Sequence, residues 1–166
     1  MSRSFLAYIG LGSNLGNSLE NLANARAYLS RIGKNSKASP IYKSPSQGVE
    51  NLPDFYNQVL SIETNLPPLD LLKYLKGVEV KLGRQHRRRW HSREVDLDLV
   101  LYDEGVLKDR YFEFPHPEML NRQFVLRPLV DLNEELVHPM TRRKLSQHLF
   151  ELEQSQGETL EKVEEK

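Results

Sequence analysis

Cysteine is absent from the 166 residues. Its absence excludes disulfide bridges and thiolate metal sites, and it suits a reducing compartment. Net charge is missing too: 23 lysines and arginines balance 23 aspartates and glutamates. No global field therefore favours nucleic acid or an anionic membrane as partner. No stretch approaches the roughly 20 apolar residues that a membrane span requires. The opening, Met1 to Gly10, lacks the apolar length of a secretory signal. Internal repeats are lacking as well. The expectation is a cytoplasmic, soluble monomer with no nucleic-acid or membrane partner. Its length suits one domain, 1–166, with a substantial core. From Gln154 onward the chain is charged and weakly apolar, which predicts a frayed tail over 154–166.

Tryptophan occurs once, in a stretch that lacks acids altogether: Gly83-Arg84-Gln85-His86-Arg87-Arg88-Arg89-Trp90-His91-Ser92-Arg93. Arginine forks match phosphate geometry, and an indole offers a flat stacking surface. Acids follow at once, in Glu94-Val95-Asp96-Leu97-Asp98-Leu99-Val100-Leu101-Tyr102. In an extended strand alternate side chains share a face. Asp96 and Asp98 then stand together, with Val95, Leu97, Leu99 and Leu101 opposite. Neighbouring carboxylates repel unless a cation or a shared proton intervenes. A hard ion such as Mg2+ takes one or two carboxylates together with substrate phosphate oxygens. Alone, the aspartates also fit a half-exposed, solvated strand, and the arginines a solvated basic turn or a nucleic-acid contact. Neither explains their adjacency. Together they point to a polyphosphate–metal site entered through a mobile cationic loop.

Phe5 to Leu11 reads as a buried strand, followed by the turn Gly10-Leu11-Gly12-Ser13-Asn14-Leu15-Gly16. That turn lacks the Gly-Lys-Ser/Thr ending of a phosphate loop, so it is taken as a tight strand-to-helix connection. Ser18 is the expected N-cap of a helix ending near Gly33. Ala38 to Ser44 and Phe55 to Thr64 read as the second and third strands. The polar loop between them, Pro45 to Asp54, is long enough to suggest function. Pro68 opens a second helix whose expected apolar stripe is Leu69, Leu72, Leu75, Val78 and Leu82. Val95 to Tyr102 is the fourth strand, and Val106 to Phe114 a small hairpin or extended arm. Short helical turns broken by Pro128 are expected from Asn121 to Leu132, and a last helix capped by Thr141 from about Lys144. The order strand–helix–strand–strand–helix–strand predicts an α+β fold, a ferredoxin-like sandwich. Its antiparallel sheet would carry helices mainly on one face, with the first and fourth strands as central neighbours.

Five segments in order resemble the 6-hydroxymethyl-7,8-dihydropterin pyrophosphokinase family of folate biosynthesis. They are Tyr8 to Gly16, Pro53-Asp54-Phe55-Tyr56-Asn57, Arg89 to Asp98, Pro115-His116-Pro117-Glu118-Met119, and Arg122 to Leu129. The resemblance implies transfer of diphosphate from ATP, the co-substrate, to the hydroxymethyl oxygen of the reduced pterin, with release of AMP. It assigns two Mg2+ ions to Asp96 and Asp98. Arg84 and Arg93 would contact the phosphates, with Arg89 and Trp90 sealing the site. His116 and Arg122 would bind the triphosphate, and Leu72, Glu79 and Leu99 would lie on the nucleotide side. Phe55 and Phe124 would sandwich the pterin, and Asn57 would pair with its amide-like edge. Backbone groups of Ser44 and Pro45, together with Trp90 and Asp96, would complete that subsite. Read without the motifs, Glu79 is a solvated helix charge, His116 a loop histidine, Arg122 part of a surface ion pair, and both phenylalanines core. His91-Ser92 stands where many relatives carry Gly-Pro.

Two other classes fit parts of the pattern. A two-metal nucleotidyltransferase would also use strand carboxylates, and would release pyrophosphate rather than AMP. An RNA-binding sheet module shares the fold, but the chain lacks its aromatic signature and carries an aspartate pair that repels phosphate.

Overall fold

Residues 3–45, 53–83 and 94–164 are described by the computed structural model. The apolar opening forms β1 (Phe5–Ser13), and α1 (Ser18–Leu29) follows the glycine turn. Asn17, not Ser18, caps that helix: its Oδ1 accepts from Glu20 N at 3.1 Å. Ser18 is occupied by a hydroxyl contact with Ser13. One 3-10 turn (Ser30–Ile32) leads to β2 (Gly33–Ala38) and β3 (Ile41–Ser44). The expected second strand, Ala38 to Ser44, is represented by β3; β2 precedes it and was not foreseen, and the two are divided at Ser39-Pro40. Pro40 has no N–H to give a ladder, and the Ser39 hydroxyl accepts from Val59 N at 2.9 Å.

The ten-residue β4 (Phe55–Thr64) pairs with β1, β2 and β3. Then come α2 (Pro68–Lys81), β5 (Asp96–Tyr102) and the small hairpin of β6 (Leu107–Lys108) and β7 (Glu113–Phe114). A 3-10 turn (Met119–Asn121) precedes α3 (Gln123–Leu132), α4 (Leu145–Gln156) and β8 (Glu161–Val163). The sheet runs β5-β1-β4-β3-β8, with β2 also on β4. Every recorded pairing is antiparallel. The fold is the expected ferredoxin-like sandwich. Within it, β1 and β5 are neighbours, but β5 is an edge strand; the centre belongs to β1 and β4.

Alternation along the strands divides the core in two. Ile9, Leu11, Leu60, Ile62 and Leu97 pack under α1 and α2 with Leu22, Leu29, Leu71 and Leu75. Tyr8, Val59, Val100 and Leu101 pack on the opposite face with Val125, Leu126 and Leu129 of α3 and Leu149 of α4. A second helical layer therefore covers the face that α1 and α2 leave. On α2 the buried stripe is Leu71, Leu75 and Val78, while Leu69 is 48% exposed. Leucines at 69, 71 and 72 made the phase of that helix ambiguous.

Three further expectations change. Pro128 does not interrupt α3, which is continuous around it. The proline removes one intrahelical donor, but burial of Val125, Leu126 and Leu129 on the sheet holds the helix. Thr141 does not cap α4: Lys144 occupies that position, and the Thr141 hydroxyl instead faces His148 and accepts from Arg143 N. The tail expected to fray continues α4 to Gln156 and then adds β8 to β3. Among the described residues no helix is long and apolar enough to cross a membrane.

Candidate active site

Register sets the site. Opposite Gly12 of β1 stand Asp96 of β5 on one side and Asn57 of β4 on the other, with Tyr42 of β3 beyond. The next row is Asp98, Gly10 and Val59. All point to the face that carries Tyr8. On β1, then, no side chain stands between the aspartates and Asn57. A Cβ on Gly12 would come within 3.0 Å of Asn57 Oδ1, and one on Gly10 within 3.4 Å of Val100 Cγ2. Asn57 is buried, and its Nδ2 donates to Ser44 Oγ at 3.3 Å. Phe55, opposite Ser44, shares this face. Phe124, on the first turn of α3, joins its packing, and the Arg122 guanidinium lies 5.6 Å over the Phe124 ring. Pro45 follows Ser44 directly at the end of β3.

Next to the aspartates the ladder breaks. Ile9 pairs with Leu99 but Tyr8 with Leu101, leaving Val100 as an extra residue. Such a bulge turns two successive side chains to one side. Leu101 therefore joins the aspartates' face rather than the opposite one expected for it, and Tyr102 takes its place in the α1–α2 core. The Val100 carbonyl accepts from His116 N at 2.9 Å, so the bulge also seats the histidine. His116 Nδ1 accepts from Glu118 N at 3.1 Å, which leaves the ring proton on Nε2. Burial holds this imidazole below its ordinary value; Asp98 opposes the shift and Arg122 adds to it. His116 is thus a neutral donor close to both an acid and an arginine.

At the free edge of β5, Leu72, Asp98, Leu99, His116 and Pro117 line a cavity of about 360 Å3 with Asp109 to Glu113 of the hairpin. Glu79 is no solvated helix charge. It is 2% exposed, and its Oε2 accepts from Leu97 N at 2.7 Å. Arg84, Arg89, Trp90 and Arg93 lie outside the described residues, as does the expectation of a mobile loop. The flanking residues meet: a Cβ on Gly83 would be 3.7 Å from Glu94 Cγ. Asn21 of α1, which the sequence did not single out, donates to Leu15 O at 2.8 Å and to Glu94 O at 3.2 Å.

The model of one family, 7,8-dihydro-6-hydroxymethylpterin-pyrophosphokinase (HPPK), matches residues 8–134. The chain belongs to this family. It is 36% identical over 140 residues to the 2-amino-4-hydroxy-6-hydroxymethyldihydropteridine pyrophosphokinase of Aquifex aeolicus, covering 84% of this chain and 88% of that one. It is 40% identical over 135 residues to that of Haemophilus influenzae, covering 80% and 84%. The folic acid synthesis protein fol1 of Schizosaccharomyces pombe matches 94% of this chain at 35% identity, over 21% of its own length. Among solved structures, wild-type Plasmodium falciparum HPPK-DHPS with pteroate superposes at a TM-score of 0.77 and 12% identity. There the match covers 98% of this chain and 46% of the other, about half its length.

As an HPPK, the chain has pyrophosphokinase activity in folate biosynthesis. Transfer by this family is ATP-dependent, and Mg2+ is its usual ion. The donor set fits such an ion. Among the described residues no three His, Asp or Glu side chains converge as a metal cage. Two half-buried carboxylates sit on one face beside a side-chain-free strip. A cation held there must complete its shell from phosphate and water, which is the habit of Mg2+. The signal for the strip was in the sequence, as two glycines two residues apart in an otherwise apolar strand.

Proposed function

We propose that Asp96 and Asp98 hold two Mg2+ ions along the ATP triphosphate while the pterin lies on the Gly10–Gly12 strip, its amide-like edge on Asn57. One observation carries this reading: Asp96, Gly12 and Asn57 form a single row across β5, β1 and β4. Two strand spacings separate the acid from the amide, roughly 9.5 Å. A flat bicycle with a hydroxymethyl arm spans that distance. Phe55 and Phe124 supply aromatic faces, and Asn57 offers one donor and one acceptor. Ser44 fixes the Asn57 amide, and the backbone at Ser44 and Pro45 closes that end.

In the reaction the hydroxymethyl oxygen loses its proton to solvent and bonds to the β-phosphorus, the bond from that phosphorus to the α–β bridging oxygen breaks, and AMP leaves. Asp96 and Asp98 would hold the Mg2+, which would supply charge neutralisation to the polyphosphate and favour loss of the attacking hydroxyl's proton. His116, a neutral Nε2 donor, and Arg122 orient the triphosphate. Leu72 and Leu99 border the nucleotide in the β5-edge cavity. Arg84 and Arg93 add phosphate contacts, and Arg89 and Trp90 exclude water. The enzyme acts as a cytoplasmic monomer of one domain.

The test is incubation with ATP, Mg2+ and 6-hydroxymethyl-7,8-dihydropterin. AMP and pterin diphosphate should appear in equal amounts. Release of free pyrophosphate in step with turnover would instead identify a nucleotidyltransferase.

A further inference from the structure

Leu97 stands between the two aspartates, and its side chain is fully buried among Leu11, Leu75 and their neighbours. Its backbone lies on the edge strand, where a ladder leaves alternate N–H and C=O groups without a neighbouring strand. At this one residue α2 supplies both missing partners. Glu79 Oε2 accepts from Leu97 N at 2.7 Å, and Lys76 Nζ donates to Leu97 O at 3.4 Å. The two side chains also meet each other, Nζ to Oε1 at 3.3 Å, one helical turn apart. Water could have satisfied an exposed edge at no cost. Here a carboxylate that is only 2% exposed is used instead, and a buried charge is tolerated only when it is paired and hydrogen-bonded. Charge-assisted bonds are the short, strong ones, so the Leu97 peptide is held more firmly than an ordinary edge peptide.

We propose that Lys76 and Glu79 are positioning residues. By gripping the peptide between Asp96 and Asp98 they fix the spacing and direction of those carboxylates before the metal-bearing triphosphate arrives. This rests on the reading of the aspartates as metal ligands. Partners that orient ligands are worth roughly 10–100-fold in metal affinity.

The experiment titrates Mn2+ into the protein with a non-hydrolysable ATP analogue, following free Mn2+ by electron paramagnetic resonance. Glu79→Leu, Glu79→Gln and Lys76→Met are compared with Asp96→Ala. Glu79→Leu should weaken Mn2+ binding about tenfold and leave pterin affinity unchanged. Glu79→Gln keeps an acceptor for Leu97 N and should recover most of the loss. Lys76→Met, at a half-exposed site that tolerates exchange, should show a smaller loss in the same direction, so the idea stays testable if Glu79→Leu fails to fold. Amide exchange at Leu97 should speed up in Glu79→Leu while its β1-bonded neighbours stay protected. Unchanged Mn2+ binding in Glu79→Leu and Lys76→Met, with Asp96→Ala abolishing it, overturns the proposal alone. Unchanged binding in Asp96→Ala overturns the metal reading beneath it. Equal losses in Glu79→Leu and Glu79→Gln that persist for the nucleotide in EDTA would mean that Glu79 touches the nucleotide itself.

Discussion

Substituting Gly12 by alanine separates the site from the fold. The glycine is extended strand, so a side chain meets no backbone strain there, and the one atom near its Cβ is Asn57 Oδ1 at 3.0 Å. The amide must give way by a few tenths of an ångström, a χ adjustment of about 0.5–1.5 kcal/mol. Alanine restricts the unfolded chain and returns about 0.4–1 kcal/mol. The two terms nearly cancel, so the melting temperature should move by no more than about 2–4 °C. Pterin binding has no such compensation. A methyl group on the strip lifts the ring from its seat and displaces the amide that pairs with its edge. Leaving one or two polar ring atoms unpaired costs about 1–3 kcal/mol, or about 10–100-fold in affinity. Calorimetry with the pterin, and separately with Mg2+ and an ATP analogue, reads the two subsites. Pterin affinity should fall by that factor while nucleotide affinity holds. Unchanged pterin affinity in a folded Gly12→Ala protein would refute the strip as the pterin floor.

Asp96→Ala and Asp98→Ala should each leave the melting curve close to wild type yet remove nearly all transfer, because removing one acid relieves repulsion in the unliganded site; full activity in excess EDTA would contradict the metal assignment. Asn57→Ala should weaken pterin binding about tenfold or more with little effect on nucleotide, and equal losses for both ligands would point to misfolding. His138 gives a pH test away from the site. Its buried ring is held below the ordinary 6.5 by desolvation and by His148, and its Nδ1 accepts from Met140 N and Thr141 N. Because the folded value is depressed, its contribution is complete above pH 6.5 and is lost as pH falls through the folded value. Denaturant melts from pH 7 to pH 5 should therefore show falling stability, and His138→Gln should flatten that slope; an unchanged slope would exclude His138 as a source.

What could be read from the chain followed what side-chain pattern encodes. The apolar run of β1, Pro68 at the start of α2, the 106–114 hairpin and the paired aspartates of β5 all announce themselves locally, and the five family segments joined them into the right fold. Elements held by backbone or by distant packing did not. Glu161-Lys162-Val163 has no strand-like alternation, and it is recruited by the free edge of β3. Leu99-Val100-Leu101 looks uniform, so its bulge could not be seen without β1 beside it. Pro128 is a breaker by local rule, overruled because α3 is buried where it stands. Within the site, Asp96 and Asp98 stood out as chemistry, whereas Asn57 was singled out only through the family resemblance. The functions of Asn21, Lys76 and Glu79 as anchors were not legible, since each depends on a main-chain atom far away in sequence.

The bulge explains how one strand serves both a site and a core. Along β5 the face toward α3 must carry carboxylates at Asp96 and Asp98, then apolar packing beyond them. Strict alternation would place Val100 there and return Leu101 to the α1–α2 side. The extra residue instead gives that face both Val100 and Leu101, against Met119, Leu126 and Leu129, and frees Tyr102 to reach the other layer, where its hydroxyl donates to Leu66 O at 2.7 Å. Apolar packing thus begins immediately after the second acid. The same distortion exposes the Val100 carbonyl to His116 N, bringing a neutral donor beside Asp98. Further back along the same free edge, Glu79 and Lys76 hold Leu97. The helical ion pair at Leu97 and the His116 contact at Val100 thus hold the backbone on either side of Asp98, which orders the stretch that carries the carboxylates.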